Sequence, residues 1–216
     1  MYDVRANGPK GHPNRMTLPP DAPRRERKRQ QLADHMAATA FRLFEDQGYE
    51  AVTMEGVAAA ADIAKGTLYK YFPVKEALLA HQLQRDIASG MNALWQILVK
   101  QRNFAAQMRC LLHASAKWHE ARRVYISHYV RFQLANFGGD LAGTRHAHAA
   151  RPILERLCID GQVRGDVRVD VPAAQLAVML DCMCLGAITI WLGSPDGNLK
   201  TEFDALLLLI LSGVGT

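Results

Sequence analysis

Cysteine is scarce in this chain, and the four residues present, Cys110, Cys158, Cys182 and Cys184, show no Cys-x-x-Cys spacing. That argues against a disulfide scaffold or a cysteine-based metal site and fits free thiols in a reducing cytoplasm. Also missing are a glycine-rich phosphate loop, Gly-x-Ser-x-Gly and His-Glu-x-x-His, and the apolar periodicity is helical, with no strands to mount such motifs. Catalysis, a metal and a cofactor are therefore not expected. The N-terminal stretch "MYDVRANGPKGHPNRMTLPPDAP" lacks the apolar segment of a signal peptide, and no apolar run is read as long enough to span a bilayer, so the expectation is a soluble, cytoplasmic protein with no membrane partner. A strong excess of one charge is absent too. The net charge of +5 is spread along the chain and says little about a polyanionic partner, with one local exception: "RRERKR", Arg24 to Arg29, sets five cations against one anion.

What is present is 49% hydrophobic residues in helical register over 216 positions, enough for a real core. Residues 1–23, rich in Pro, Gly and polar side chains, read as a disordered tail. From Arg24, the apolar residues Leu32, Met36, Ala40, Leu43 and Phe44 recur at steps of three and four and stop at Gly48, which predicts a first helix of about five to six turns. Thr53 is a good N-cap for a short second helix over 54–61, with Val57, Ala58 and Ala61 on its inner face. Asp62 tolerates the turn that follows, and a third helix over 65–72 is ended by Pro73. Helix, tight turn, helix on a supporting first helix is a DNA-reading unit.

Within it, "TMEGVAAAADIAKGTLYKYFPVKEALL", Thr53 to Leu79, resembles the DNA-binding domain of TetR-family transcriptional regulators. The resemblance implies an all-α homodimer: a helix-turn-helix domain over 24–80, then a larger helical ligand-binding and dimerisation domain over 81–216. It also implies that Lys65, Gly66, Lys70 and Tyr71 lie nearest base edges, while Thr53, Thr67, Tyr69 and Lys75 hold the DNA backbone. The chemistry agrees, since Gly66 permits close backbone approach and Thr67 offers a hydroxyl to a phosphate. Two positions depart from the family pattern. Ala64 and Val74 stand where a capping side chain is common.

Past Leu78 no Pro or Gly linker intervenes, so a fourth helix is expected to run on from the DNA-binding head as a lever. Further along, Trp118, Tyr125, Tyr129 and Phe132 fall on one helical stripe, which Trp95, Phe104 and Met108 can face. These residues, with Met183, are either plain core or the lining of a pocket for a small apolar or aromatic ligand, with His113, His119 or His128 as polar anchor. The Gly-rich "ANFGGDLAGTRHAHAA" reads as a loop, and His146 with His148 is too slight for a metal. Pro172 opens a helix to about Trp191, and a last helix from about Thr201 carries "ALLLLIL", apolar all round, so that one face is expected to meet a second copy of the chain; a two-fold interface built from these last two helices is also what the resemblance implies. The function expected is a homodimeric DNA-binding regulator, a repressor released from a palindromic operator by a small molecule. The competing reading is a small-molecule or protein-binding helical module with a vestigial DNA-binding head.

Overall fold

A computed structural model of the chain describes residues 24–135 and 150–212. The predicted N-terminal tail and the His146/His148 loop lie outside the described residues. Among those described, the chain is all-helical: α1 (Arg24–Gln47), α2 (Met54–Ala60), α3 (Lys65–Tyr71), α4 (Lys75–Leu98), α5 (Phe104–Glu120), α6 (Arg123–Ala135), α7 (Arg151–Arg164), α8 (Ala173–Gly193) and α9 (Leu199–Ser212).

The head is built as its local chemistry dictates. α1 buries Ala33, Met36, Ala37, Ala40 and Phe44 along one stripe, and full burial of a residue such as Phe44 contributes about 1.5–3 kcal/mol. It stops where Gly48 takes φ +82° and returns its N–H to the Phe44 carbonyl at 3.0 Å, a left-handed cap that glycine adopts without strain. Thr53 caps α2 by accepting the Gly56 N–H at 3.1 Å. Asp62 then turns the chain at φ 54°, and Ile63 donates back to the Ala58 carbonyl. Both α3 and α4 begin without a side-chain cap, at Ala64 and Val74. Ala64→Ser and Val74→Ser are each expected to raise stability by about 1 kcal/mol by satisfying an orphan amide; a drop in melting temperature for both would contradict this account of the helix starts.

α4 ties the head to the rest. Its first turns bury Leu78, Leu79, Ala80 and Leu83 against α1, and Asp34 of α1 takes His81 at 2.7 Å and Arg85 at 3.3 Å. Beyond them α4 packs on α5 and α6, α7 lies along α8, and α9 lies on α5 and α8. One hydrophobic core runs without a break from Ala33 to Leu207.

α8 corrects one expectation: at 21 residues and mean hydropathy 1.9 it is long and apolar enough, by length and composition, to cross a membrane. Here it is packed against α6, α7 and α9, and it carries Asp181, 4% exposed and ion-paired with Arg151 of α7 at 3.3 Å. The four thiols are free; burial pushes Cys158 up to about 11 and Cys184 up to about 12, so both stay protonated and unreactive near neutral pH.

Candidate DNA interface and ligand cavity

α3 turns Leu68 inward, fully buried, and closes on Phe72, because Pro73 cannot continue the helix. That leaves Lys65, Gly66, Tyr69 and Lys70 exposed on the other side. A Cβ built on Gly66 meets no atom within 4 Å, so this glycine is not required by the protein's own packing. Tyr71 is half-buried, its ring under the Arg29 guanidinium at 6.0 Å.

Glu55 of α2 sits among these cations and hydroxyls. It is ion-paired with Lys65, and Tyr69 Oη donates to it at 3.3 Å. The Lys65 hydrogen bond holds the Glu55 carboxyl below the ordinary carboxylate range, and Glu55 in turn raises Lys65. Thr53 spends its hydroxyl on the cap of α2. Thr67 is half-buried in the first turn of α3.

Lys75 is engaged within the protein in a way its position in the motif did not reveal. Its ammonium donates to the Tyr49 carbonyl at 2.7 Å and the Val52 carbonyl at 3.1 Å, and it lies 4.3 Å from the Tyr49 ring centroid. Two of its three donors therefore tie the α1–α2 loop to the start of α4.

Away from the head, a concavity opens between α4, α5, α6, α8 and the start of α7, with a volume of about 280 Å³. Its wall is mainly apolar, with Ile87, Met91 and Leu94 from α4, Leu111 and Ala114 from α5, and Leu185 and Ile188 from α8. The polar groups at it are Asp86, Ser115, His119, Tyr129 and Asp181. His119 Nδ1 donates to the Ser115 carbonyl at 2.8 Å. Tyr129 Oη accepts from Gln133 at 2.8 Å, and burial pushes its pKa up to about 12, so it remains a neutral phenol.

Of the eight residues expected to line a pocket, Trp118 and Tyr129 do so. The others fall elsewhere, each for a packing reason. Phe104 and Met108 are buried core, Phe104 against Gly161 of α7. Tyr125 turns toward the head and packs on Phe41 at 5.3 Å. Trp95 and Phe132 pack partly buried on the core outside the cavity lining, and Met183 is exposed. The possible anchors divide as well: His113 bonds Asp204 of α9 at 2.6 Å and His128 stacks on Tyr49 at 4.0 Å, leaving His119 at the cavity. Sequence reasoning missed Gly90, Met91, Leu94 and Asp181. Two signals were there to read: Gly90 in mid-helix, costing about 1 kcal/mol relative to Ala unless it leaves room for something, and a lone carboxylate, Asp181, in an otherwise apolar helix.

Comparison with known proteins agrees with the head's geometry. Residues 37–81 match the family model of "Bacterial regulatory proteins, tetR family". The chain is 47% identical over 66 residues to the HTH-type transcriptional repressor KstR of Mycolicibacterium smegmatis, a stretch covering 31% of this chain and 29% of that one. The match thus spans less than a third of that relative's length. In fold, the chain resembles Thermus thermophilus FadR, a TetR-family repressor solved with lauroyl-CoA (TM-score 0.71, 19% identity, 85% of this chain and 95% of that one). It also resembles Bacillus subtilis FadR solved with stearoyl-CoA (TM-score 0.61, 16% identity, 84% and 98%). Residues 37–81 thus carry the sequence pattern of a tetR-family DNA-binding head, and the chain as a whole shares the all-helical fold of these solved repressors.

Proposed function

We propose that the chain is a sequence-specific, homodimeric DNA-binding repressor whose operator affinity is set by a small apolar or partly aromatic ligand held in the α4–α5–α6–α8 cavity. The observation that carries this reading is the double use of α4. Its first turns anchor the reading head through Leu78, Leu79 and Leu83, and its later turns line the cavity through Ile87, Met91 and Leu94. A ligand that changes the cavity's shape therefore acts on the element that orients α3. α6 supplies a second link: Tyr129 and Val130 line the cavity while the adjacent His128 stacks on Tyr49, whose carbonyl Lys75 holds. At about 280 Å³ the cavity falls just below the roughly 300–1,000 Å³ of most small-molecule sites. It suits a compact ligand body. The competing reading, a vestigial head, is disfavoured by the exposed Lys65, Tyr69 and Lys70.

On duplex DNA, phosphate competes with Glu55 for Lys65 and Tyr69, while Lys70 and Tyr71 reach toward base edges. Lys75, with one donor left, serves the loop first and a phosphate second. Two variants separate these roles. Lys70→Ala is expected to leave thermal stability unchanged and to flatten sequence preference by roughly 1–3 kcal/mol. Lys75→Ala is expected to weaken binding to all duplexes alike and also to destabilise the protein by about 1.5–3 kcal/mol, because two carbonyls lose a charged donor. Melting curves and binding to matched and scrambled duplexes check both. A Lys75→Ala protein with wild-type stability would assign that side chain to DNA alone.

A further inference from the structure

The basic run Arg24–Arg29 lies before residues 37–81 that the family model covers, and no role proposed above uses it. Nor does it help to build the core. Burial along α1 begins at Ala33, so the opening turns project past the packed part of the head with Arg24, Arg25, Lys28 and Arg29 exposed. Glu26 is the single acid in the first turn, 3.9 Å from Arg29. Cations crowded at the amino end of a helix repel one another and the helix dipole. Among the described residues, the contacts of Arg25, Lys28 and Arg29 do not explain so unfavourable an arrangement.

Its direction is informative. Arg29 lies over the ring of Tyr71, 6.0 Å from the centroid, next in sequence to Lys70 on α3. Arg25, four residues earlier, shares that face of α1, and Lys28 flanks it. The positive surface of α3 therefore continues onto the overhang. We propose that Arg25, Lys28 and Arg29 extend the duplex-binding surface from α3 onto the end of α1, each taking a backbone phosphate of double-stranded DNA beside the half-site. Planar guanidinium groups fit phosphate oxygens in a fork and read no base, so the contribution is affinity without preference.

The proposal rests on the DNA-binding reading of α3, and its test keeps the two apart. The full chain is compared with the Arg25→Gln/Lys28→Gln/Arg29→Gln variant between about 50 and 200 mM salt, the range over which counterion release is largest. The probes are a duplex enriched by the wild type from a random pool and a scrambled duplex of the same length. The slope of log affinity against log salt should become shallower by roughly 0.9 for each lost phosphate contact. The loss should be the same on both duplexes, so that their affinity ratio is preserved. The melting temperature should stay level or rise, because like charges leave the helix end. An unchanged slope, a changed ratio or a lowered melting temperature would each overturn the proposal. A wild type that binds no duplex would remove the reading of α3 and this extension with it, whereas a variant indistinguishable from a DNA-binding wild type removes the extension alone.

Discussion

Leu208→Glu should turn a dimer into a folded monomer, while Leu207→Glu, one residue earlier, should prevent folding. The two leucines face opposite ways on α9: Leu207 is 2% exposed and Leu208 65%. On α8, which packs on α9, Met179, Met183 and Ile190 repeat at helical spacing and are also exposed, as is Leu211 of α9. Reading a palindrome needs two recognition helices related by a two-fold axis, so this paired apolar face is the surface proposed for a second copy of the chain. An uncompensated charge in such a dry contact costs about 3–5 kcal/mol, and each exchange enters the two-fold interface twice. The same carboxylate at Leu207 meets the core, where its burial rivals the roughly 5–15 kcal/mol that holds a domain together. Sedimentation equilibrium and thermal unfolding distinguish the outcomes. A Leu208→Glu protein that stays dimeric would move the interface elsewhere.

The second large effect concerns regulation. Ala114 lines the cavity from α5, so Ala114→Trp places an indole where the ligand is proposed to sit. Operator affinity should be retained, and compounds that raise the wild type's melting temperature should no longer do so in the variant. In the wild type, a ligand that prefers the conformation unfit for DNA should weaken operator binding about 5- to 150-fold, a coupling of roughly 1–3 kcal/mol. Linkage makes that factor reciprocal, so operator DNA must weaken ligand binding equally. If stabilising ligands leave operator affinity untouched, the larger helical part serves dimerisation alone and the sensing role fails.

The head was legible because its signals are local. Gly48, Thr53, Asp62 and Pro73 each punctuate the chain within a few residues of where they act: α1 ends, α2 begins and ends, and α3 begins and ends beside them. The family resemblance drawn from Thr53 to Leu79 rests on the aromatic, proline-flanked and Lys-Glu positions of that stretch, and the matched family model covers all of it. The cavity was poorly legible because helical periodicity says which residues leave the solvent, not which neighbour they meet. Trp118, Tyr125, Tyr129 and Phe132 share a stripe, yet Tyr125 goes to Phe41 of α1 while Tyr129 faces the cavity. Lys75 shows the same limit for a polar group: its motif position suggests a phosphate, but carbonyls from residues 23 and 26 positions earlier reach it only in the folded chain.

The central claim, sequence-specific reading of DNA by a two-fold pair of α3 helices, is tested most directly by selecting duplexes from a random pool with the full-length wild-type protein. Enrichment of one palindrome, with half-site centres about 34–36 Å or a whole multiple of one helical turn apart, is the predicted result. Recovery of duplexes without a shared sequence, retained equally well whatever their order of bases, would contradict it.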